Sequence, residues 1–266
     1  TRVDNKVRGE PAGAWVPMIE PSPHADAAAF VVFDDHRRSD MKTYVARAEN
    51  YGARWRQLSR DANLEGYALS IKQDPLDPEL LFLGSEFGLY FSSTGGANWH
   101  RFSAGVPTVS VMDMAIQARE NDLVLGTHGR SVYVIDDYSA LRGLDEETLA
   151  QRFALLSAGP GQQYVRAQTP GGRFTGSGEF RAPNEPYGAL LTFVVAGDDL
   201  PHPNKDAERE RRNAESRAKA EASGDEEGDS DTGEGEDKPT KVELKVFADD
   251  GELLRTRRFK VHQGLN

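Results

Sequence analysis

Asp35, His36, Arg37, Asp40, Glu86, His128 and Arg130 are the side chains of this 266-residue chain best placed to do chemistry. They fall in three short polar segments, "DDHRRSDMK" (34–42), "SEFG" (85–88) and "THGRS" (127–131). Acids and histidines of this kind accept or donate protons and hold hydroxyls or amines, and arginine pairs with carboxylates. Two carboxylates facing across a groove would suit cleavage of a glycosidic bond, and Asp35, Asp40 and Glu86 offer one half of such a pair. The other half is not identifiable. Cleavage through a tyrosine nucleophile would also need an arginine cluster, a carboxylate base and an acid, and the scattered arginines do not assemble that set. The patterns G-x-S-x-G, H-E-x-x-H and the phosphate loop are absent. The reading is therefore one of ligand-binding candidates, His36, Arg37, Asp40, Glu86, His128 and Arg130. No catalytic residue, metal site or cofactor is expected. A purely structural alternative has Glu86 pairing with Arg130 or Arg101 to tie neighbouring elements together.

The elements that carry these segments repeat. Three stretches align: 15–59, 67–103 and 111–137. Each has an apolar strand ending near Ile19, Ile71 or Ile116, then a polar turn ("PSPHAD", "QDPLDP", "ARENDL"). A second strand follows ("AAFVVF", "LLFLGS", "DLVLGT"), then a third ("TYVARA", "GLYFSS", "SVYVID"). The first two repeats add a short fourth strand carrying Trp55 or Trp99, and these tryptophans are 44 residues apart. That spacing and strand count are those of propeller blades. The strands are short, rich in Val, Ile, Phe and Tyr, and bounded by turn residues. The candidate residues all lie in turns between second and third strands, which open on one face of such a stack. Polar loops on a rigid scaffold are the usual home of binding residues.

"SSTGGANW" (Ser92 to Trp99) resembles the Asp box, S-x-D-x-G-x-x-W, of bacterial neuraminidase repeats, and "AENYGARW" (Ala48 to Trp55) is a weaker copy. Gly52, Gly96, Trp55 and Trp99 are kept. Asn50 and Thr94 stand where the aspartate belongs. Either can still hydrogen-bond a local turn, so Asn50, Gly52, Trp55, Ser92, Thr94, Gly96 and Trp99 read as structural. The stretch Trp15–Asp137 is similar to the closing blades of large bacterial propellers of the sortilin-like, neuraminidase-repeat family, often labelled glycosyl hydrolases. The resemblance implies a box at the outer rim, away from the ligand face. It also implies an extracellular or periplasmic location and further blades elsewhere in the parent protein.

Beyond the repeats the pattern changes. "LDEETLAQRF" predicts a short helix with Asp145 as cap and Leu144 and Leu149 as a hydrophobic staple. From about Gly161 β patterns return. "YGALLTFVVAG" (187–197) reads as a buried strand, and "KVELKVFADDGELLRTRRFKV" as a hairpin turning at Asp249, Asp250 and Gly251. With "FRAPNEPYGA" they resemble the immunoglobulin-like sandwich that follows the propeller in the same family. Residues 201–240 hold thirteen acids and seven bases, more than half of the chain's net charge of −11, and predict disorder with transient helix in "DAERERRNAESRAKAEA". "GDEEGDSD" lacks the spacing of a calcium loop.

The expected fold is thus all-β: a partial propeller of about three blades followed by a β-sandwich. The expected divisions are blades over 1–140, a helical connector over 141–160, a sandwich over 161–200 plus 241–266, and a disordered charged insertion over 201–240. Three blades do not close a ring, the chain begins at Thr1 and not Met, and it stops just after a strand, so it reads as a C-terminal piece of a longer protein with an incomplete sandwich. It has no cysteine, hence no disulfide or thiolate metal site. Its acidity argues against nucleic acid as a partner, and no apolar run is long enough to span a membrane. The first functional reading is a non-catalytic module of a secreted or envelope bacterial protein that binds a protein, peptide or carbohydrate. The alternative is a glycoside hydrolase, sialidase- or xyloglucanase-like, completed by other blades. A purely structural scaffold is the third.

Overall fold

The computed structural model describes residues 7–60, 63–158, 161, 188–197, 199–202, 205–223 and 241–266. The chain divides into two compact units, Thr1–Asp145 and Glu146–Asn266. It is all-β in class, as the sequence predicts.

The first unit is three antiparallel sheets. The first has strands β1 (Trp15–Pro21), β2 (Ala29–Asp35), β3 (Asp40–Glu49) and β4 (Arg54–Gln57), paired in that order. The second repeats it with β5 (Ala68–Gln73), β6 (Leu81–Ser85), β7 (Gly88–Ser92) and β8 (His100–Phe102). The third has three strands, β9 (Val111–Gln117), β10 (Asp122–Thr127) and β11 (Val132–Ile135). These are the three expected blades, the last without a fourth strand. Trp55 lies within β4, whereas Trp99 sits one residue before β8.

Side-by-side stacking follows from the burial pattern. The middle blade contacts both neighbours, and every residue of β6 and β7 is buried. The continuous buried runs of β5, β6 and β7 reflect strands covered on both faces, while β8 is exposed at the edge and β1 and β11 alternate because one face is wet. Between the first two blades the core comprises Phe30, Val32, Val45, Leu58, Ala68, Ile71, Leu81, Leu83, Tyr90 and Trp99, with Met18 and Leu64 packed on it. Polar ties cross the same seam: Lys72 Nζ to Glu20 Oε2 at 2.7 Å, and Ser22 Oγ to Gln73 Oε1 at 2.7 Å. Between the second and third blades, β6 and β9 approach so closely that a Cβ on Gly84 would lie 2.5 Å from the Val111 carbonyl oxygen.

Each box closes a turn between third and fourth strands. In the second blade, Ser92 Oγ accepts from the backbone N–H of Thr94 (3.2 Å) and Gly96 (2.9 Å), and Thr94 Oγ1 accepts from Asn98 N–H at 2.9 Å. The two hydroxyls thus hold the backbone N–H groups of this turn. In the first blade the work falls on the backbone. Asn50, Tyr51 and Gly52 all have positive φ, and Gly52 O accepts the Trp55 indole N–H at 3.0 Å.

After β11 the chain runs into a 3-10 helix, Tyr138–Gly143, capped by Asp137 accepting from Ser139 N–H. This segment belongs to the propeller unit. It is held there by Asp74, in the turn between β5 and β6. Asp74 is fully buried and accepts from Tyr138 Oη (2.7 Å), Arg142 Nη2 (2.7 Å) and the backbone N–H of Leu76 and Asp77. Its own carbonyl lies 2.7 Å from His24 Nε2 of the first blade, so one turn of the second blade joins the first to the segment after β11.

The second unit opens with α1 (Glu146–Ala150), as predicted, but β12 (Phe153–Ala158) starts inside the stretch expected to be connector. Its pairing with β13 (Leu191–Val195) makes "FALLSA" a strand, a non-local partnership that local pattern does not reveal. The chain's last strand, β16 (Gly264–Leu265), completes this sheet on the other side of β13. The predicted hairpin is β14 (Lys241–Phe247) with β15 (Leu253–Lys260), turning at Gly251 with φ +87°. Val195, Leu200 and Val261, with Phe193 and Val242, form a core shared by both sheets. The segment expected to be transiently helical is a continuous helix, α2 (Lys205–Ser223), rich in ion pairs such as Arg212–Glu208 at 2.8 Å. Tyr187, most of "FRAPNEPYGA" and residues 224–240 of the charged insertion lie outside the described residues.

Candidate functional site

The turn after β2 is built by two buried carboxylates. Asp35 is 5% exposed and receives Arg38 Nε at 2.6 Å. Arg38 also reaches the Ala12 carbonyl, so the segment before β1 is strapped to this turn. Asp34 accepts the backbone N–H of His36 at 2.9 Å and lies 2.7 Å from its ring Nδ1. This contact fixes the direction of the ring and leaves Nε2 as its outer nitrogen. Ser39, in left-handed conformation, closes the 3-10 turn by donating its N–H to His36 O.

The connection from the first blade to the second wedges against this turn. Tyr67, just before β5, stacks on His36 with ring centroids 4.3 Å apart and planes 19° off parallel. Gly66 accepts the Thr43 hydroxyl and has φ +76°, and a Cβ there would lie 2.9 Å from the Phe87 ring. The Tyr67 carbonyl accepts Glu86 N–H at 3.1 Å. Burial pushes the Tyr67 phenol above its ordinary pKa, and the Glu86 and Asp34 carboxylates push it further. His36, Tyr67 and Glu86 thus form one cluster across the seam, beside a Phe87 that is 41% exposed.

The remaining sequence candidates lie elsewhere. Arg37 places its guanidinium 4.8 Å from the centroid of the Trp15 ring. Asp40 accepts Tyr44 Oη at 2.8 Å, a bond that holds its carboxyl below the ordinary value. Tyr44 is pushed up to about 12, first by burial and then by that bond. His128 donates its backbone N–H to Ser110 O, and its side chain and that of Arg130 are exposed on the third blade. The expected pairing of Glu86 with Arg101 or Arg130 does not form. Arg101 instead meets Glu65 at 3.6 Å and donates to Phe87 O and Thr108 Oγ1, because the β8 strand aims it at the connecting segment. Sequence reasoning missed Asp34, Tyr67 and Phe87. Tyr67 carried one usable signal, an aromatic next to the Gly66 that ends the blade connection.

Among the described residues no group of three His, Asp or Glu side chains is placed to hold a metal, and no helix is long and apolar enough to cross a membrane. No protein-family model matches the chain, and a search of curated proteins found no match. Weak similarities exist to solved GH74 structures. The Niastella koreensis GH74 enzyme is 18% identical over 45% of this chain and 21% of its own, with a TM-score of 0.38. An ancestral GH74 enzyme is 20% identical over 45% and 14%, with a TM-score of 0.37. The GH74 xyloglucanase from Xanthomonas campestris is 19% identical over 54% and 25%, with a TM-score of 0.38. The matched part therefore spans a quarter or less of each of those proteins.

Proposed function

We propose that the first unit is a non-catalytic binding module whose ligand sits on the seam between its first two blades. The observation that carries this reading is the His36–Tyr67 stack, fixed by buried Asp34 beside Glu86 and the half-exposed Phe87. Glu86 supplies acceptors, the exposed edge of the His36 ring a polar nitrogen, and Phe87 an apolar surface for a flat ligand face. Of the protein, peptide and carbohydrate ligands that the sequence suggests, a carbohydrate fits best, having hydroxyl donors around an apolar face.

A glycoside hydrolase is the second reading. Against it, burial and the Glu86 and Asp34 carboxylates hold the Tyr67 phenol above its ordinary pKa, which suits a hydrogen-bond donor and opposes a nucleophile. Membership of the sortilin-like, neuraminidase-repeat propellers, the immunoglobulin-like character of the second unit, partner blades in a longer protein, and an extracellular or periplasmic location belong to the same proposal. Their support is the box-bearing blades and the order of the two units.

The test is a glycan and peptide array followed by titration calorimetry on the best binder. Glu86→Gln, Phe87→Ala and His36→Ala are each expected to weaken binding about tenfold or more. Retention of no ligand, or unchanged affinity in all three variants, removes the proposal. Release of sugar from the bound glycan would establish the enzyme reading instead.

A further inference from the structure

The seam between the first two blades is lopsided in charge. Glu86 and Phe87 are the two residues of the tight turn joining β6 to β7, where Ser85 pairs with Gly88. Their backbone is pinned: Glu86 N–H donates to the Tyr67 carbonyl, and Phe87 N–H to Ser85 Oγ at 3.1 Å. The turn therefore holds a partly buried carboxylate next to an exposed ring. Among the described residues that carboxylate makes no hydrogen bond and no ion pair. The guanidinium that could neutralise it, Arg101, is spent on the Phe87 carbonyl, on Thr108 Oγ1 and, at 3.6 Å, on Glu65. A second carboxylate, Asp34, is buried against the His36 ring, and its charge and that of Glu86 act on the same Tyr67 phenol. A carboxylate partly withdrawn from water without a counter-charge costs free energy that an incoming cation returns. An aromatic face beside it adds to the attraction for an ammonium group.

We infer that the seam takes a carbohydrate bearing a free amine, a sugar unit with an unacetylated amino group, in preference to a neutral one. This rests on the carbohydrate-binding reading above and sharpens it. The ammonium group pairs with the Glu86 carboxylate, while the apolar face of the sugar rests on Phe87. A hydroxyl in place of the amine leaves the carboxylate without its counter-charge. An acetylated amine does the same and adds bulk where the charge is wanted. Sites that hold an unpaired polar group discriminate strongly against the analogue that fails to pair it.

The test is titration calorimetry of the full chain with three oligomers of equal length, of β-1,4-linked glucosamine, N-acetylglucosamine and glucose, which differ only at carbon 2. The pH is one at which the glucosamine amines are charged. The glucosamine oligomer is expected to bind about tenfold tighter than either of the others, and the margin shrinks as salt is raised. Glu86→Gln keeps the shape of the side chain and has no bond within the described residues to lose. It is expected to bring the glucosamine oligomer down to the level of the other two, with the circular dichroism unchanged. Oligolysine, cationic without a sugar face, is expected to bind more weakly than the glucosamine oligomer. Equal affinity for the three oligomers, or a margin that survives Glu86→Gln, overturns the inference and leaves the carbohydrate-binding module standing. Oligolysine bound as tightly as the glucosamine oligomer overturns it as well, since charge alone then suffices. Failure to bind the glucosamine oligomer also overturns it, and a blank glycan array besides removes the reading on which it rests.

Discussion

Trp99 of the second blade donates its indole N–H to the carbonyl oxygen of Leu58, at the end of the first, over 2.8 Å. Gly96 of the same box lies so close to Leu58 that a Cβ there would sit 3.0 Å from its side chain. The second box is thus a joint between blades, whereas the first, with Trp55 bonded to its own Gly52, closes only its own turn. Trp99→Phe leaves the Leu58 carbonyl unpaired and is expected to cost about 1–3 kcal/mol, with Trp55→Phe costing less than about 1 kcal/mol. Urea denaturation of both variants checks this, and equal losses would contradict the distinction.

Asp74 gathers donors from two separate parts of the unit. Asp74→Asn leaves Arg142 facing a neutral amide in a buried setting and is expected to cost about 3 kcal/mol. Tyr138→Phe removes one donor and keeps the ion pair, for about 1 kcal/mol. The order of the two losses in chemical denaturation is the measurement, and a reversal would show that the hydroxyl, not the guanidinium, dominates.

The same carboxyl sets a pH dependence. Burial alone would raise its pKa, but the bonds from Arg142 and Tyr138 outweigh burial and hold it below the ordinary 3.8. A carboxyl depressed by folding adds stability in full above its unfolded pKa, and loses that contribution as the pH falls through the folded one. The stability gap between wild type and Asp74→Asn is therefore constant near neutrality and closes below about pH 4, read from denaturation curves at stepped pH.

Glu10 behaves in the opposite sense. Its Oε2 is buried without a partner among the described residues, and burial raises its pKa above the ordinary 4.5 despite a hydrogen bond from Gln57. The folded chain holds this proton more tightly than the unfolded one, so stability is lost as the pH rises through the folded pKa. Glu10→Gln is expected to raise the melting temperature at pH 7 and to leave it unchanged below pH 4.5.

Gly84 lies where β6 of the middle blade meets β9. Gly84→Ala drives a methyl against the Val111 carbonyl and the Ser70 hydroxyl and is expected to cost about 2 kcal/mol by strain. A variant as stable as wild type in calorimetry would mean that the two sheets slide apart without penalty.

The blades were readable because their signals are local and repeated: tryptophan spacing, box glycines, apolar runs bounded by turns. Turn positions gave His36 and Glu86 as face residues for the same reason. Tyr67 was hidden in a connection with no pattern of its own, and Asp34, though placed in the polar turn, gave no sign that it would be buried against the His36 ring. The Asp74 arrangement joins residues 64 and 68 positions apart, and "QDPLDP" by itself says only turn. Likewise β12 becomes a strand only through β13, more than thirty residues later. What escaped was in each case a partnership, and partnerships are set by the folded chain.

The middle blade has a neighbour on each side, and its first three strands are buried on both faces. Solvent must reach its amides through one of the flanking sheets, so exchange should proceed from the outside inward, with β6 and β7 the last to yield their protons. Damage to an outer sheet then remains local, whereas a fault in the middle one severs the stack into two pieces that no longer share a core.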